Sequence, residues 1–277
     1  MIQEARTTRI QQSTPAEYAR GFAIDVPTVD VLGVRVANIS WMEFLSGIRG
    51  VLNGKGRGWI SYVNIHSINT AHELDWFKEY LNASMLSYCD GVGVRLGSWI
   101  LGRPIQERIT LADHIEELCG MLEAEGSSVY FLGSSKEVLE RAVAHVKSRF
   151  PKLKIAGHHH GFFLRTNGID IVRDINRKKP DILFVGMGTP WQEEWIQKNF
   201  ASLNVKIAWA AGGFFEFLAG TRKRCPRWVG KWGLEWIYRL AYDPKRLWRR
   251  YLIGNPVFLS RVLRRRFSGD VRTRGTE

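Results

Sequence analysis

Three short segments of this 277-residue chain set chemically capable side chains just after an apolar run. In "YCDGVGV" (88–94), Asp90 is followed by Gly91 and Gly93, which let the backbone turn close to a ligand. A carboxylate so placed can take the proton of a hydroxyl nucleophile as a general base. Asp also forms Asx turns and helix caps, the commoner use. In "FLGSSKEVLE" (131–140), Gly133, Ser134 and Glu137 stand in the order of a capping box, and a helix N-terminus offers free N–H groups to a phosphate or ribose. In "FVGMGTPWQEEW" (184–195), Gly186 and Gly188 bracket a turn, Thr189 suits a cap and Pro190 the first helical position. Gln192 is then either the return half of a capping box or a hydrogen-bonding arm over a ligand, and the local residues leave both open.

Other chemistries find little support. The histidines of "GHHHGFF" (157–163) are adjacent, so they cannot converge on one ion, and no carboxylate or cysteine follows at a ligand spacing. There is no D-x-D pair of the kind that holds a divalent ion on a diphosphate, so metal dependence is not expected, and no other cofactor is expected either. No serine stands in a G-x-S-x-G elbow, and the missing G-x-G-x-x-G argues against a nicotinamide enzyme. Cys89, Cys119 and Cys225 form no C-x-x-C pair, a pattern that fits a reducing cytoplasm.

A third kind of chemistry is concentrated near the C-terminus. Residues 222–266 carry fourteen Lys or Arg against only Glu235 and Asp243, nearly all of the net charge of +13. Trp228, Trp232 and Trp236 are spaced four apart, one stripe on a helix, and Arg239, Arg246 and Arg249 recur at seven and three on one face. The indoles either dock on a core or sit at a lipid interface with the cations at headgroup level. The arginines could also turn inward to a diphosphate. Aromatics interleaved with arginine also describe a single-strand nucleic-acid groove, but no RNP, KH or helix-turn-helix pattern accompanies them.

These residues need elements to hold them. Runs rich in β-branched and aromatic residues, at 29–37, 58–64, 85–89, 128–133, 153–157, 181–188 and 205–213, alternate with amphipathic helical stretches. That alternation predicts an α/β fold, a Rossmann-like, mostly parallel sheet with helices on both faces, whose site lies at the carboxyl ends of the strands. "PRWVGKWGLEWIYRLAY" and "DPKRLWRRYL" predict helices, the second capped by Asp243. The chain thus divides into a polar, disordered leader (1–28), an α/β core (29–220) and a basic, Trp-rich helical appendage (221–277). Apolar residues at 45% allow a sizeable core, and the longest apolar run, at 207–220, is too short to span a bilayer.

Eight segments in order resemble the WecG/TagA/CpsF family, glycosyltransferase family 26: "VNIHSINTA", "CDGVGV", "LGRPIQERIT", "FLGSSKEV", "GHHHGFF", "DILFVGMGTPWQEEW", "AAGGFFEFLAGTRKRCPRW" and "GLEWIYRLAYDPKRLWRRY". The resemblance covers about residues 30 to 250. It implies an inverting, metal-independent enzyme that moves a sugar from a UDP-sugar to a polyprenyl-diphosphate-linked sugar, peripheral on the inner face of the bacterial cell membrane and serving surface-polysaccharide assembly. It further implies Asp90 as the base. Asn64, Arg108 and Gln192 would hold substrate, with Arg239, Arg246 and Arg249 on the acceptor diphosphate. Read from the residues themselves, the turns at Gly133, Ser134, Gly186, Gly188 and Gly213, with Glu193, are expected to bind substrate too, and Trp228, Trp232 and Trp236 to meet the anionic membrane surface. The chain departs from the family pattern at Leu111, where Gly is usual, at Tyr62 and at Cys225, and Leu111 and Tyr62 are expected to flank the sugar pocket. Donor and acceptor sugars and any homo-oligomer are left open. The alternative reading is a membrane-surface or nucleic-acid-binding protein on a non-catalytic α/β scaffold.

Overall fold

The computed structural model describes residues 24–54, 56–163, 168–222, 225–226, 229 and 234–268. An eight-stranded sheet organises them, in the order β1-β2-β4-β3-β8-β7-β5-β6. The strands are β1 (Thr28–Val31), β2 (Val34–Ala37), β3 (Gly58–Val63), β4 (Leu86–Cys89), β5 (Ser128–Gly133), β6 (Lys154–His159), β7 (Ile182–Gly186) and β8 (Ile207–Ala210). Every pairing is parallel except β1 with β2. The run 29–37, expected as one strand, is instead a hairpin. Leu32 and Gly33 both take positive φ, as a two-residue turn of this hand requires, and Asp30 Oδ1 accepts the Gly33 N–H at 3.1 Å.

Alternation along each strand feeds two cores, one per sheet face. On β5, Val129 and Phe131 join Phe184, Trp209 and Phe44, while Tyr130 and Leu132 join Leu183, Val185 and Ala208 on the other side. Burial on both faces is why these strands are continuously apolar. Ile24 and Val26, inside the expected leader, pack against the first core, and residues 1–23 lie outside the described residues.

The covering helices are α1 (Trp41–Asn53), α2 (Ile65–Glu73), α3 (Asp75–Ala83), α4 (Val92–Ile100), α5 (Ile115–Ala124), α6 (Lys136–Arg149), α7 (Gly168–Lys178), α8 (Trp191–Asn199) and the short α9 (Phe214–Leu218). Ser135, not Ser134, caps α6, its Oγ accepting the Val138 N–H at 3.3 Å. Ser134 has φ of +54° and donates its hydroxyl to Glu216 instead. Pro190 occupies the cap position of α8, so that helix begins one residue later than its proline suggested.

Beyond residue 220 the described residues hold only helices: α10 (Glu235–Tyr242), α11 (Pro244–Trp248), a π-helical turn (Arg249–Ile253) and α12 (Gly254–Phe267). Asp243 sits at the α11 cap but spends its carboxylate on Arg246 Nε, 2.7 Å away, rather than on the backbone. The helix expected across 226–242 is seen from Glu235 onward; Trp228 and Trp232 lie outside the described residues. α12 docks on α2 and α4 through buried Phe258 and Val262. Gly97 permits the approach to α4, because a Cβ there would lie 2.6 Å from Phe258 Cζ.

Candidate active site

Two cavities open at the carboxyl ends of the parallel strands, where doubly wound sheets place their sites. The larger, about 960 Å³, is floored by the ends of β5, β7 and β8 and roofed by α10, α11 and the π turn. The smaller, about 430 Å³, lies between the ends of β3 and β4, α4, α10 and α12. They share one wall, built from His66, Glu235, Arg239, Arg250 and Tyr251.

The floor of the larger cavity explains its glycines. A Cβ on Gly133 would lie 2.2 Å from the Gly186 carbonyl oxygen, and one on Gly186 would lie 2.7 Å from that of Gly212. The Ser134 N–H donates to Gly186 O at 3.0 Å, so adjacent strand ends are laced together. Ser134, Gly186, Gly188 and Gly213 line the cavity, and Gly133 lies in the packing behind it.

Gln192 and Glu193 lie beneath that floor, almost wholly buried. Gln192 Oε1 accepts from the N–H groups of Gly188 (3.2 Å) and Gly212 (3.1 Å). Its amide donates to Tyr62 Oη (3.2 Å) and Glu193 Oε1 (2.8 Å). Gln192 therefore ties two glycine turns together from below and does not reach over the cavity. Burial pushes the Glu193 carboxyl up to about 7, against the pull of its hydrogen bonds from Gln192, its own backbone and Thr189. Tyr62 lines the cavity and also bonds Thr189 Oγ1 at 2.9 Å, whereas Leu111 is buried in the core and lines neither cavity.

Asp90 lies at the smaller cavity with Asn64 and Arg108. Its N–H donates to Val63 O at 2.9 Å, which carries the β3–β4 register one residue past the strand end. Burial raises the Asp90 carboxyl above its ordinary range; nearby Glu235 adds to the rise, while Arg239 and Arg108 oppose it. Asn64 caps α2, its Oδ1 accepting the Ser67 N–H at 3.1 Å. A Cβ on Gly91 would lie 3.1 Å from the Asn64 Cβ, so a glycine there lets the Asp90 turn pass close by.

The expected diphosphate arginines divide. Arg239 is on the shared wall, while Arg246 and Arg249 line only the larger cavity. Glu235 joins the two halves of the site: Oε2 accepts from Arg108 Nη1 at 3.0 Å, and Oε1 accepts from Arg239. Trp236, expected at a lipid interface, is half-buried, lines the smaller cavity and lies 6.0 Å from the Tyr251 ring. Among the described residues, no three His, Cys, Asp or Glu converge in a way that could hold a metal ion.

A buried carboxylate with two arginines in the same lining, in a cavity that shares a wall with a second one, is suited to deprotonating one bound molecule beside the phosphates of another. Residues 29–272 match the profile of the Glycosyl transferase WecG/TagA/CpsF family. The chain belongs to this family. It is a glycosyltransferase. Similar proteins include two from Staphylococcus aureus, each named N-acetylglucosaminyldiphosphoundecaprenol N-acetyl-beta-D-mannosaminyltransferase. That of strain MRSA252 is 32% identical over 236 residues, 84% of this chain and 91% of the relative. That of strain NCTC 8325 / PS 47 is 31% identical over the same span.

Three wall residues of this family member escaped the sequence reading. His66 is held neutral by burial and by Arg250, its imidazole pushed down to about 4. Tyr251 gave no signal, being one aromatic of many. Glu235 did leave one: it is one of only two acids among fourteen cations.

Proposed function

We propose that the protein transfers a sugar from a UDP-sugar to a sugar carried on polyprenyl diphosphate, with inversion and without a metal, in bacterial surface-polysaccharide assembly. The Staphylococcus relatives, by their names, act on N-acetylglucosaminyl-diphosphoundecaprenol, and an acceptor of that class is taken for this chain. The observation that carries the reading is buried Asp90 in the smaller cavity, with Arg108 and Arg239 in the same lining and Arg239 also on the wall shared with the larger cavity.

The donor occupies the larger cavity; Arg246 and Arg249, expected on the acceptor diphosphate, line this cavity instead, so the donor's diphosphate faces them and the glycine-lined strand ends. The acceptor sugar enters from the Asp90 side. Its hydroxyl oxygen bonds to the anomeric carbon from the face opposite the nucleotide, and the hydroxyl proton passes to the Asp90 carboxylate. The anomeric C–O bond breaks with its electron pair going to UDP, whose charge the guanidinium groups balance. Raised proton affinity suits Asp90 to this step, because a stronger base is a better acceptor while it remains ionised. Arg108 and Arg239 oppose the effect of burial and favour its ionised form.

The appendage (221–277) is assigned to the inner face of the cell membrane, and the core (29–220) joins it there. Among the described residues no helix is long and apolar enough to cross a membrane. α4 and α12 instead expose Leu96, Trp99, Leu259, Leu263 and Phe267, next to the exposed Arg264, Arg265 and Arg266. Apolar side chains beside cations suit an anionic leaflet.

The test is UDP release from a panel of UDP-sugars with a polyprenyl-diphosphate-sugar acceptor, in EDTA, for wild type and Asp90→Asn. The wild type should turn over one donor and the variant should lose roughly 10²–10⁴-fold, the usual worth of a general base, with unchanged thermal unfolding. Turnover retained by a folded Asp90→Asn would remove Asp90 from the base role, and turnover abolished by EDTA would end the metal-free reading.

A further inference from the structure

The smaller cavity has more apolar wall than a sugar needs. Beyond Asn64, Asp90, Arg108 and Arg239 it becomes a groove between α4 and α12, lined by Ile65, Leu96, Ile100, Trp236, Phe258 and Leu259. We propose that this groove binds the first few isoprenoid units of the acceptor, those next to its diphosphate; the inference rests on the acceptor class taken above.

Polarity along the groove matches an amphiphile with an anionic head. Its lining offers three guanidinium groups, from Arg108, Arg239 and Arg250, together with Asp90, and the α4–α12 side is aliphatic and aromatic carbon apart from Asn255. A peptide or nucleotide would leave its polar backbone unpaired against that wall, whereas a prenyl chain asks for nothing but removal from water.

The groove is also held in shape. Phe258 and Val262 anchor α12 against Gly97, Asn69 Nδ2 donates to Gly254 O at 2.8 Å, and Arg261 Nη1 donates to Asn69 Oδ1 at 2.7 Å. Its mouth opens on Leu96 and Leu259, which line the groove yet stand 52% and 42% exposed. Trp99 and Phe267, on the same two helices, are exposed as well. At about 430 Å³ the cavity falls at the small end of ligand pockets, so only the proximal part of a long chain fits and the rest stays in the bilayer.

Direct binding separates this inference from the transfer reading. Calorimetry would compare two soluble probes, N-acetylglucosamine diphosphate esterified with a methyl or with a farnesyl group, on the full chain and on the double variant Leu96→Gln/Leu259→Gln. Both substituted side chains are well exposed, so the fold should survive, and thermal unfolding checks that it does. The farnesyl probe should bind the wild type roughly ten-fold or more tightly than the methyl probe, and the variant should lose most of that preference. Equal affinity for the two probes, or a preference that survives in the folded variant, overturns the groove assignment. UDP release with the same probes reports separately on transfer: chain-length preference without turnover would sink the transfer reading and leave the groove standing.

Discussion

Glu193 makes a measurable statement about what this fold tolerates. Its Oε1 accepts from Thr189 Oγ1 and Gln192 Nε2, and its Oε2 has no hydrogen-bond partner among the described residues. Burial raises the carboxyl from 4.5 to about 7. An acid whose proton affinity rises on folding binds more protons in the native state between those two values, so stability falls as pH rises through that interval. The penalty is absent below pH 4.5, accumulates to about pH 7 and is constant above. At about 1.4 kcal/mol per decade, its ceiling is about 3 kcal/mol. Glu193→Gln keeps a carbonyl oxygen for Thr189 and Gln192 and cannot ionise. The variant should match the wild type near pH 4 and exceed it by up to about 3 kcal/mol at pH 8. Urea unfolding of both proteins across that range, at fixed ionic strength, gives the difference directly, because carboxylates elsewhere contribute equally to both. Parallel curves, or a variant less stable at every pH, would refute the reasoning and mean that Glu193 is ionised and held by partners yet unaccounted for.

Two further outcomes follow from the site and its supports. Glu235→Gln removes a negative charge that raises the Asp90 carboxyl, so the acidic limb of the pH–rate profile should move to lower pH; a limb that stays put would mean the two groups are not coupled. Gly97→Val would press on Phe258 at the seam between α4 and α12, and chemical denaturation should show a loss of about 1–3 kcal/mol. No loss would mean α12 is not held there.

Much of the sheet was legible because the strands advertise themselves. β3, β5, β7 and β8 are buried on both faces, and their runs of Ile, Val, Phe and Trp follow directly from that. The β1–β2 hairpin was missed because Leu32–Gly33 lacks the Asn-Gly or Asp-Gly signature, and only a Leu held at positive φ makes the turn. The α6 cap fell one residue late for a related reason: Gly133 and Ser134 are drawn against Gly186 by tertiary contact, which no local pattern reports. Asp90, Arg108 and Arg239 could be named from their motifs. Their grouping with His66 and Tyr251 depends on where α12 docks, and that is decided by a missing Cβ at Gly97 and an amide at Asn69, far away in the chain. Leu111 illustrates the opposite error, since adjacency to a motif residue put it beside a pocket when its side chain faces the core.

The wall shared by the two cavities also governs traffic. The two cavities share only that wall, and on the proposed reading a water-soluble nucleotide occupies one while a lipid-tethered partner occupies the other. Neither molecule has to leave before its co-substrate arrives, so both can be resident at once and the sugar can cross in a single displacement. Spent nucleotide can depart toward the aqueous side while the elongated lipid is still seated. An enzyme with two adjoining chambers can thus work at a boundary between phases without carrying its greasy substrate into water or its charged one into fat.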